Sequence, residues 1–459
     1  MRDLIRDLFD AHPGPLPYLT CQDMTLTRDA VDAGAAFEES VFDASGVGEG
    51  STVLLQVPPS RTMIEALFAL WRLGAQVMLV DHRFTDAEVT GLRQLCRPQF
   101  SVRGTAGGRL VLGFRERYEL VTSHHADGRR ADTAHRLVQF SSGSTGVPKV
   151  IGRTPQSLAD EVTRFTQIPG MPGAGDAVLL LSSTAHSFGL VAGLLYSLAA
   201  GVGVVFAPTV SARAILDAAA RADVAAIFGT PFHFELLGTV PLGPDLPSLR
   251  TAVSGGELMP AQVAAAFAER FGLSIGQSYG TTETGVVAMD TAGPAHPSVG
   301  PPAPGIEVRA ADGELEVRLP DGSPYLRGPD EGRYVDGWLR TRDRAEIGPD
   351  GQIRLSGRGD SLVVIGGLKI DLLEVEAALR AHPGVREAVV VHTTAIEAYV
   401  SVDPGGPGAS DLVRWCRQQL AGVKVPRLVH VLPALPRTPN GKLVRRAAVL
   451  RAADPVPTA

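Results

Sequence analysis

From residue 52 to residue 253 the chain keeps alternating short, β-branched apolar runs with Ala-rich stretches of helical spacing. Residues 52–57 read as a strand closed by Pro58 and Pro59, 64–73 as a helix with one apolar face, and 76–80 as the next strand. The rhythm continues through the apolar runs 177–181, 203–206, 225–228 and 251–253. Such alternation predicts an α/β fold, with a large N-terminal domain of parallel-rich sheets wrapped by helices. Many unrelated activities share that architecture, so the rhythm assigns none of them.

After Gly293 the texture changes. Pro294, Pro297, Gly300, Pro301, Pro302, Pro304 and Gly305 crowd together, and the alternating stretches 314–319 and 352–355 follow. They predict a small β subdomain attached to the large domain. Past residue 360 a second unit is expected: strand 362–365, helix 373–380, strands 388–392 and 398–402, helix 411–420 and strand 429–432. At roughly 100 residues it is long enough to be a domain of its own. The expected division is therefore a large domain over 1–359 and a small, mobile α+β domain over 360–459.

Composition narrows the partners. The 459 residues carry a net charge of -6 with no basic block, which argues against a nucleic-acid surface. Cys21, Cys96 and Cys416 are scattered without metal or disulfide spacing, as in a reducing cytoplasm. The charged N-terminus is not followed by an apolar core, so no signal peptide is expected. Residues 177–212 lack Lys, Arg, Asp and Glu, but Gly201, Gly203 and Pro208 divide them into pieces too short to span a bilayer. No membrane contact and a cytoplasmic location are expected.

Several stretches carry chemistry. Ser141, Ser142, Gly143, Ser144, Thr145, Gly146 and Lys149 follow an apolar strand. Small residues let amides and hydroxyls approach phosphate oxygens, and a lysine neutralises them. The spacing does not fit the G-x-x-x-x-G-K-[ST] loop, because no Ser or Thr follows Lys149. Further on, Ser278, Tyr279, Gly280, Thr281, Thr282 and Glu283 combine a ring able to stack on a purine, hydroxyls for a phosphate and a carboxylate for a divalent cation. Alone, the segment reads better as a polar strand-end loop with one surface Glu. Gly255, Gly256 and Glu257 either let backbone lie against a planar ligand or form a tight turn.

In order along the chain, these stretches resemble the motifs of the adenylate-forming enzymes: acyl- and aryl-CoA synthetases, adenylation domains of peptide synthetases, and luciferases. Residues 140–149 match the family's phosphate loop, with Val150 replacing its last Gly. Tyr279, Gly280, Thr282 and Glu283 match Tyr-Gly-x-Thr-Glu. Trp338, Thr341 and Asp343 match Trp-x-x-Thr-Gly-Asp, with Arg342 where Gly is usual. Gly357, Arg358 and Asp360 match Gly-Arg-x-Asp; Gly366, Gly367, Glu374 and Glu376 match Gly-Gly-x-x-Ile…Glu-Val-Glu; and residues 435–445 match the terminal Leu-Pro-x-Thr-x-x-Gly-Lys-x-x-Arg.

The resemblance implies a set of roles. Tyr279 stacks on adenine beside Gly255, Gly256 and Glu257; Thr282 meets the α-phosphate; Glu283 holds Mg²⁺; Asp343 holds the ribose, and Arg358 contacts the ribose or a phosphate. Asp360 is the hinge, Gly366 and Gly367 line a pantetheine tunnel, and Lys442 bridges the substrate carboxylate and the α-phosphate. The implied reaction uses ATP to adenylate a small carboxylic acid, then passes the acyl group to the thiol of CoA or of phosphopantetheine on a separate acyl or peptidyl carrier protein. A non-thiol acceptor, or a non-catalytic ATP-binding protein on the same fold, are the alternatives.

For the acid, the resemblance places His186 and Phe188 at the pocket with Gly255 and Gly280. Phe232 and His233, in the aromatic segment 229–234, would form another wall suited to a flat ligand. Amino-acid-activating domains place an Asp close to the His186 segment, and none occurs in 177–212. A buried ammonium without a counter-charge is costly, so an aromatic or compact acyl acid is expected rather than an α-amino acid. The small domain also has a short connection, 393–397, where the family carries a longer loop.

Overall fold

The alternating segments fold into two separate sheets. The computed structural model describes all residues except 13, 105–112, 142–147, 241–242, 294–296, 328–331, 359–360, 366–367, 421, 439–441 and 454–459. These gather into two compact units: Met1–Ala311 with Leu315–Thr341 and Glu346–Leu355, and Asp312–Glu314 with Arg342–Ala345 and Ser356–Ala459.

In the first unit an eight-stranded sheet runs in the order Gly285–Asp290, Gly276–Thr281, Thr251–Gly255, Ala226–Gly229, Ala177–Leu180, Gly203–Val205, Pro17–Cys21, Met24–Thr27. Its inner pairs are parallel, and only the two edge strands run against their neighbours. A seven-stranded sheet has a parallel centre of Leu137–Ser141, Gln76–Leu79, Thr52–Gln56 and Phe100–Gly104. Parallel strands buried on both faces require continuous apolar runs, and Val53, Leu54, Leu55, Val77, Val178 and Leu179 are all almost fully enclosed.

One helix of the large sheet's layer is not a plain α-helix. Phe188–Leu195 winds wide as a π-helix before Tyr196–Ala200 continues as α-helix. Such wide turns favour functional sites, and this one begins two residues after His186. Gly189 allows it: a Cβ there would come 2.2 Å from the Ser183 carbonyl oxygen.

The second unit pairs Val385–His392 with Ile396–Val402 antiparallel, and Ile396–Val402 with Leu428–Leu432 parallel. Helices Leu372–Arg380 and Ala409–Gln419 accompany this sheet, and Val375, Leu379, Ala398, Val400, Leu412 and Cys416 form its core. All three cysteines are buried and free, and burial pushes each thiol up to about 11.

Candidate active site

The predicted residues of the large sheet meet along one edge. Gly276–Thr281, Thr251–Gly255, Ala226–Gly229 and Ala177–Leu180 are neighbours and run parallel. Ser278–Thr281, Gly255–Glu257, Thr230–His233 and His186–Phe188 therefore leave the same carboxyl-terminal edge in order. Ligands of open α/β sheets bind at this kind of edge.

The second sheet brings its own carboxyl ends to that place. Gln139 donates from Nε2 to the Ala185 carbonyl at 2.7 Å and accepts from Ser187 Oγ at 2.8 Å. Asp81, just past Gln76–Leu79, accepts from Ser183 Oγ at 3.3 Å. The loop bearing His186 is thus fixed from both sides. Ser141 ends one strand of this sheet and Lys149 begins the next; Ser142, Gly143, Ser144, Thr145 and Gly146 lie outside the described residues.

Around His186 lies a charged group that local sequence does not announce. Arg83 donates to Asp81 from Nε and Nη2, both at 2.8 Å, and from its backbone N–H at 3.0 Å. His186 Nε2 stands 3.5 Å from Asp81 Oδ2. Burial alone would push the Asp81 carboxyl up, but the nearby His186 ring and the Arg83 charge outweigh it and hold the group well below the usual carboxylate range. A carboxylate therefore does stand beside His186, although none occurs in 177–212. Both its oxygens face Arg83, so it offers no open seat to an ammonium.

His233 lies in helix Pro231–Gly238. Its Nδ1 accepts from the Thr230 N–H at 3.2 Å, with Thr230 Oγ1 at 2.9 Å, so in the neutral ring the hydrogen is on Nε2. Burial, and then the Arg83 charge, push this imidazole down to about 4. Phe188 packs at 5.7 Å against the Phe228 ring, and a Cβ on Gly255 would meet it at 2.9 Å. Phe232 is exposed and its ring lies 5.4 Å from that of His233. Phe234 departs from the expected aromatic wall: it is fully buried against Phe267, because the helix turns that position into the core.

Glu283 is buried in a turn tied internally by Thr281 and Thr284, whose side chains each accept the other's backbone N–H at 3.2 Å. Its Oε1 accepts from Tyr325 Oη at 2.8 Å and from Arg333 Nη1 at 3.3 Å. Lys149 Nζ lies 5.8 Å from the centre of the Tyr325 ring. Beneath the turn, the buried Arg153–Glu161 pair (2.9 Å) gives Glu161 Oε1 to the Val286 N–H at 2.9 Å. Gly285 makes this possible, with φ +69° and no side chain to strike the Glu161 carboxylate. Thr282 is half-buried within the same turn.

The remaining predicted residues belong to the second unit. Arg342 adopts φ +63°, the left-handed region, which gives a physical reason for glycine at that position of the motif. Its backbone N–H donates to Glu314 Oε1 at 2.7 Å, and half-buried Asp343 follows it. Arg358 ends strand Ile353–Arg358; Asp360, Gly366 and Gly367 lie outside the described residues. Lys442 is exposed, on a loop closed by Thr438 N–H to the Lys442 carbonyl at 2.7 Å and Val444 N–H to the Pro436 carbonyl at 2.9 Å. Arg445, the last motif residue, pairs with buried Glu376 of the Glu-Val-Glu segment, one contact being 2.9 Å.

Residues 17–329 match the family model described as AMP-binding enzyme, and residues 374–442 match that of the AMP-binding enzyme C-terminal domain. The chain belongs to the AMP-binding enzymes. Among curated relatives of this AMP-binding enzyme, the feruloyl-CoA synthase of an Amycolatopsis species is 28% identical over 438 residues, covering 88% of this chain and 89% of that one. The benzoate–CoA ligase of Thauera aromatica is 29% identical over 345 residues, covering 68% and 65%. Among solved structures, ATP-bound MatB from Rhodopseudomonas palustris shares the fold with a TM-score of 0.84 at 22% identity, covering 99% of both chains. The α/β architecture with a large first and small second unit is that of adenylate-forming enzymes.

In the first unit of this AMP-binding enzyme, sequence reading missed Asp81, Arg83, Gln139, Glu161, Tyr325 and Arg333. All but Arg83, whose bonds go to Asp81 two residues away, act through partners far along the chain; only the polar run Asp81-His82-Arg83 at a strand end offered a local hint. For Mg²⁺, the donor set fits one contact. Both protein bonds to Glu283 fall on Oε1, so Oε2 is open among the described residues. No group of three or more His, Cys, Asp or Glu there could hold an ion by itself. One carboxylate oxygen completed by phosphate oxygens is how Mg²⁺ is often bound beside a nucleotide.

Proposed function

We propose that this AMP-binding enzyme activates an aromatic carboxylic acid with ATP and delivers it to a pantetheine thiol, of CoA or of a carrier protein. As a member of a family whose relatives here are acyl- and aryl-CoA ligases, it is an AMP-forming ligase: it adenylates a carboxylate and then forms a thioester. The observation that carries the site assignment is the convergence of Tyr279, Gly255 and His186 on one edge of parallel strands.

In the first step a carboxylate oxygen attacks the α-phosphorus of ATP, the bond to the bridging oxygen breaks, and pyrophosphate leaves. The loop 141–149 with Lys149 binds the phosphates, Tyr279 and the Gly255–Glu257 turn bind the base, and Asp343 and Arg358 bind the ribose. Glu283 would hold Mg²⁺, which when bound would supply charge neutralisation at the phosphates. Thr282 donates to an α-phosphate oxygen, and Lys442 offsets the charge shared by carboxylate and phosphate. In the second step a thiol attacks the acyl carbon, the acyl–oxygen bond breaks and AMP leaves. Asp360 is the pivot between the two steps, and Gly366 and Gly367 flank the pantetheine arm.

An aromatic acid is supported by the Phe188–Phe228 packing beside Gly255 and by relatives that act on feruloyl and benzoate groups. His233, with its Nε2–H, suits a hydrogen-bond acceptor on the ring. Product analysis with ATP and a set of benzoates and cinnamates tests the acceptor. AMP and a thioester are expected with CoA or with a pantetheinylated carrier protein. AMP release only with an amine acceptor would refute thioester formation.

A further inference from the structure

Asp81 is 3% exposed, and neither step above uses it. Buried carboxylates are rare unless paired, and this one gathers partners from three places. Arg83 approaches both oxygens at 2.8 Å, Ser183 Oγ and His186 Nε2 face Oδ2 at 3.3 and 3.5 Å, and His82 Nδ1 lies 3.5 Å from Oδ1. His186 Nε2 is buried and makes no hydrogen bond among the described residues; Asp81 Oδ2, 3.5 Å away, is the charge it faces, while the side chain keeps 31% of its surface open. A carboxylate facing Nε2 favours the hydrogen on that nitrogen. Arg83 in turn stays partly exposed, and its charge is felt at His233.

We propose that Asp81 is a positioning residue of the acyl pocket, holding His186 in place through its Nε2 side while Arg83 and Ser183 hold the carboxylate. This rests on His186 lining the acid site. Its effect is on where that one substrate-facing ring points, so it acts on the acid and not on ATP. Ser183 accounts for the rigidity: it donates to Asp81 and accepts the Ala185 N–H at 3.3 Å, so the carboxylate and the His186 loop move as one body.

The test is carboxylate-dependent exchange of labelled pyrophosphate into ATP, using the benzoate or cinnamate that gives the fastest exchange. D81N, H186N, the double variant and R83Q are compared, with thermal unfolding as a check on folding. D81N is expected to raise KM for the acid roughly 10- to 100-fold, as loss of a charged hydrogen bond does, and to leave KM for ATP within about twofold. Because both groups act through one contact, the double variant is expected to be no worse than the weaker single one. R83Q, at a partly exposed position, is expected to raise KM for the acid alone and serves if D81N does not fold. Multiplicative losses in the double variant, or equal changes in both KM values for D81N or R83Q, would overturn the proposal while leaving the function intact. A folded wild-type enzyme that exchanges with no acid would overturn both.

Discussion

Arg333 meets Glu283 at 3.3 Å with both side chains almost fully buried. The guanidinium also donates to the Arg340 and Thr341 carbonyls, at 3.1 and 2.9 Å. One arginine therefore joins the Glu283 turn to the backbone of Arg340 and Thr341. Its charge also balances the carboxylate before any cation arrives, which makes the pair structural as well as chemical.

Removing one partner strands the other. R333M should cost about 3–5 kcal/mol of stability, the usual penalty for an orphaned buried charge. In the double variant E283Q/R333M much of that stability should return, because no charge is left unpaired, yet pyrophosphate exchange should stay absent. Urea unfolding and exchange assays on the wild type and these two variants read the two effects separately. Recovery of exchange in the double variant would show that Glu283 is only structural.

Arg342 supplies a second test. L-residues pay about 1–2 kcal/mol in the left-handed region, and Arg342 sits there at φ +63°. R342G should raise stability by up to about 1 kcal/mol, read as a higher urea midpoint at unchanged slope. A lower midpoint would mean that the Arg342 side chain contributes more than its backbone costs.

The strands were legible because parallel strands need unbroken apolar runs, and 52–57, 177–181 and 251–253 have them. The placement of Gly255 and Tyr279 at strand ends was legible too. Asp81 was not, because its meaning lies in Ser183 and His186, about a hundred residues later. Nothing local marks Glu161, and only the fold shows it enclosed with Arg153 beneath Gly285. Phe234 was misplaced for the opposite reason. Its type suited a ligand wall, while helical phase sent it to Phe267.

His233 should leave a mark on acid stability. Its folded pKa is about 4 against an ordinary 6.5, so between those values the unfolded chain binds a proton that the folded one does not. Stability from this group is therefore full above about pH 6.5 and falls as pH drops toward 4. In urea titrations, the wild-type advantage over H233Q should shrink from pH 7 to pH 5. A constant difference would mean that the imidazole titrates alike in both states.

Two neighbouring motif cations should separate cleanly. Arg445 pairs with Glu376, whose Oε1 also accepts the Val390 N–H at 2.9 Å, so R445M should lower stability by about 1–2 kcal/mol. Lys442 is exposed, and K442A should leave the unfolding midpoint unchanged while abolishing exchange. Equal stability loss in both variants would contradict this division of roles.

Carboxylate-dependent exchange of labelled pyrophosphate into ATP, run over a panel of benzoates, cinnamates and α-amino acids with Mg²⁺ present, bears most directly on the whole account. Label should enter ATP only when an aromatic acid is added, and not with α-amino acids. Exchange with no acid in the panel, or fastest exchange with an α-amino acid, would contradict it.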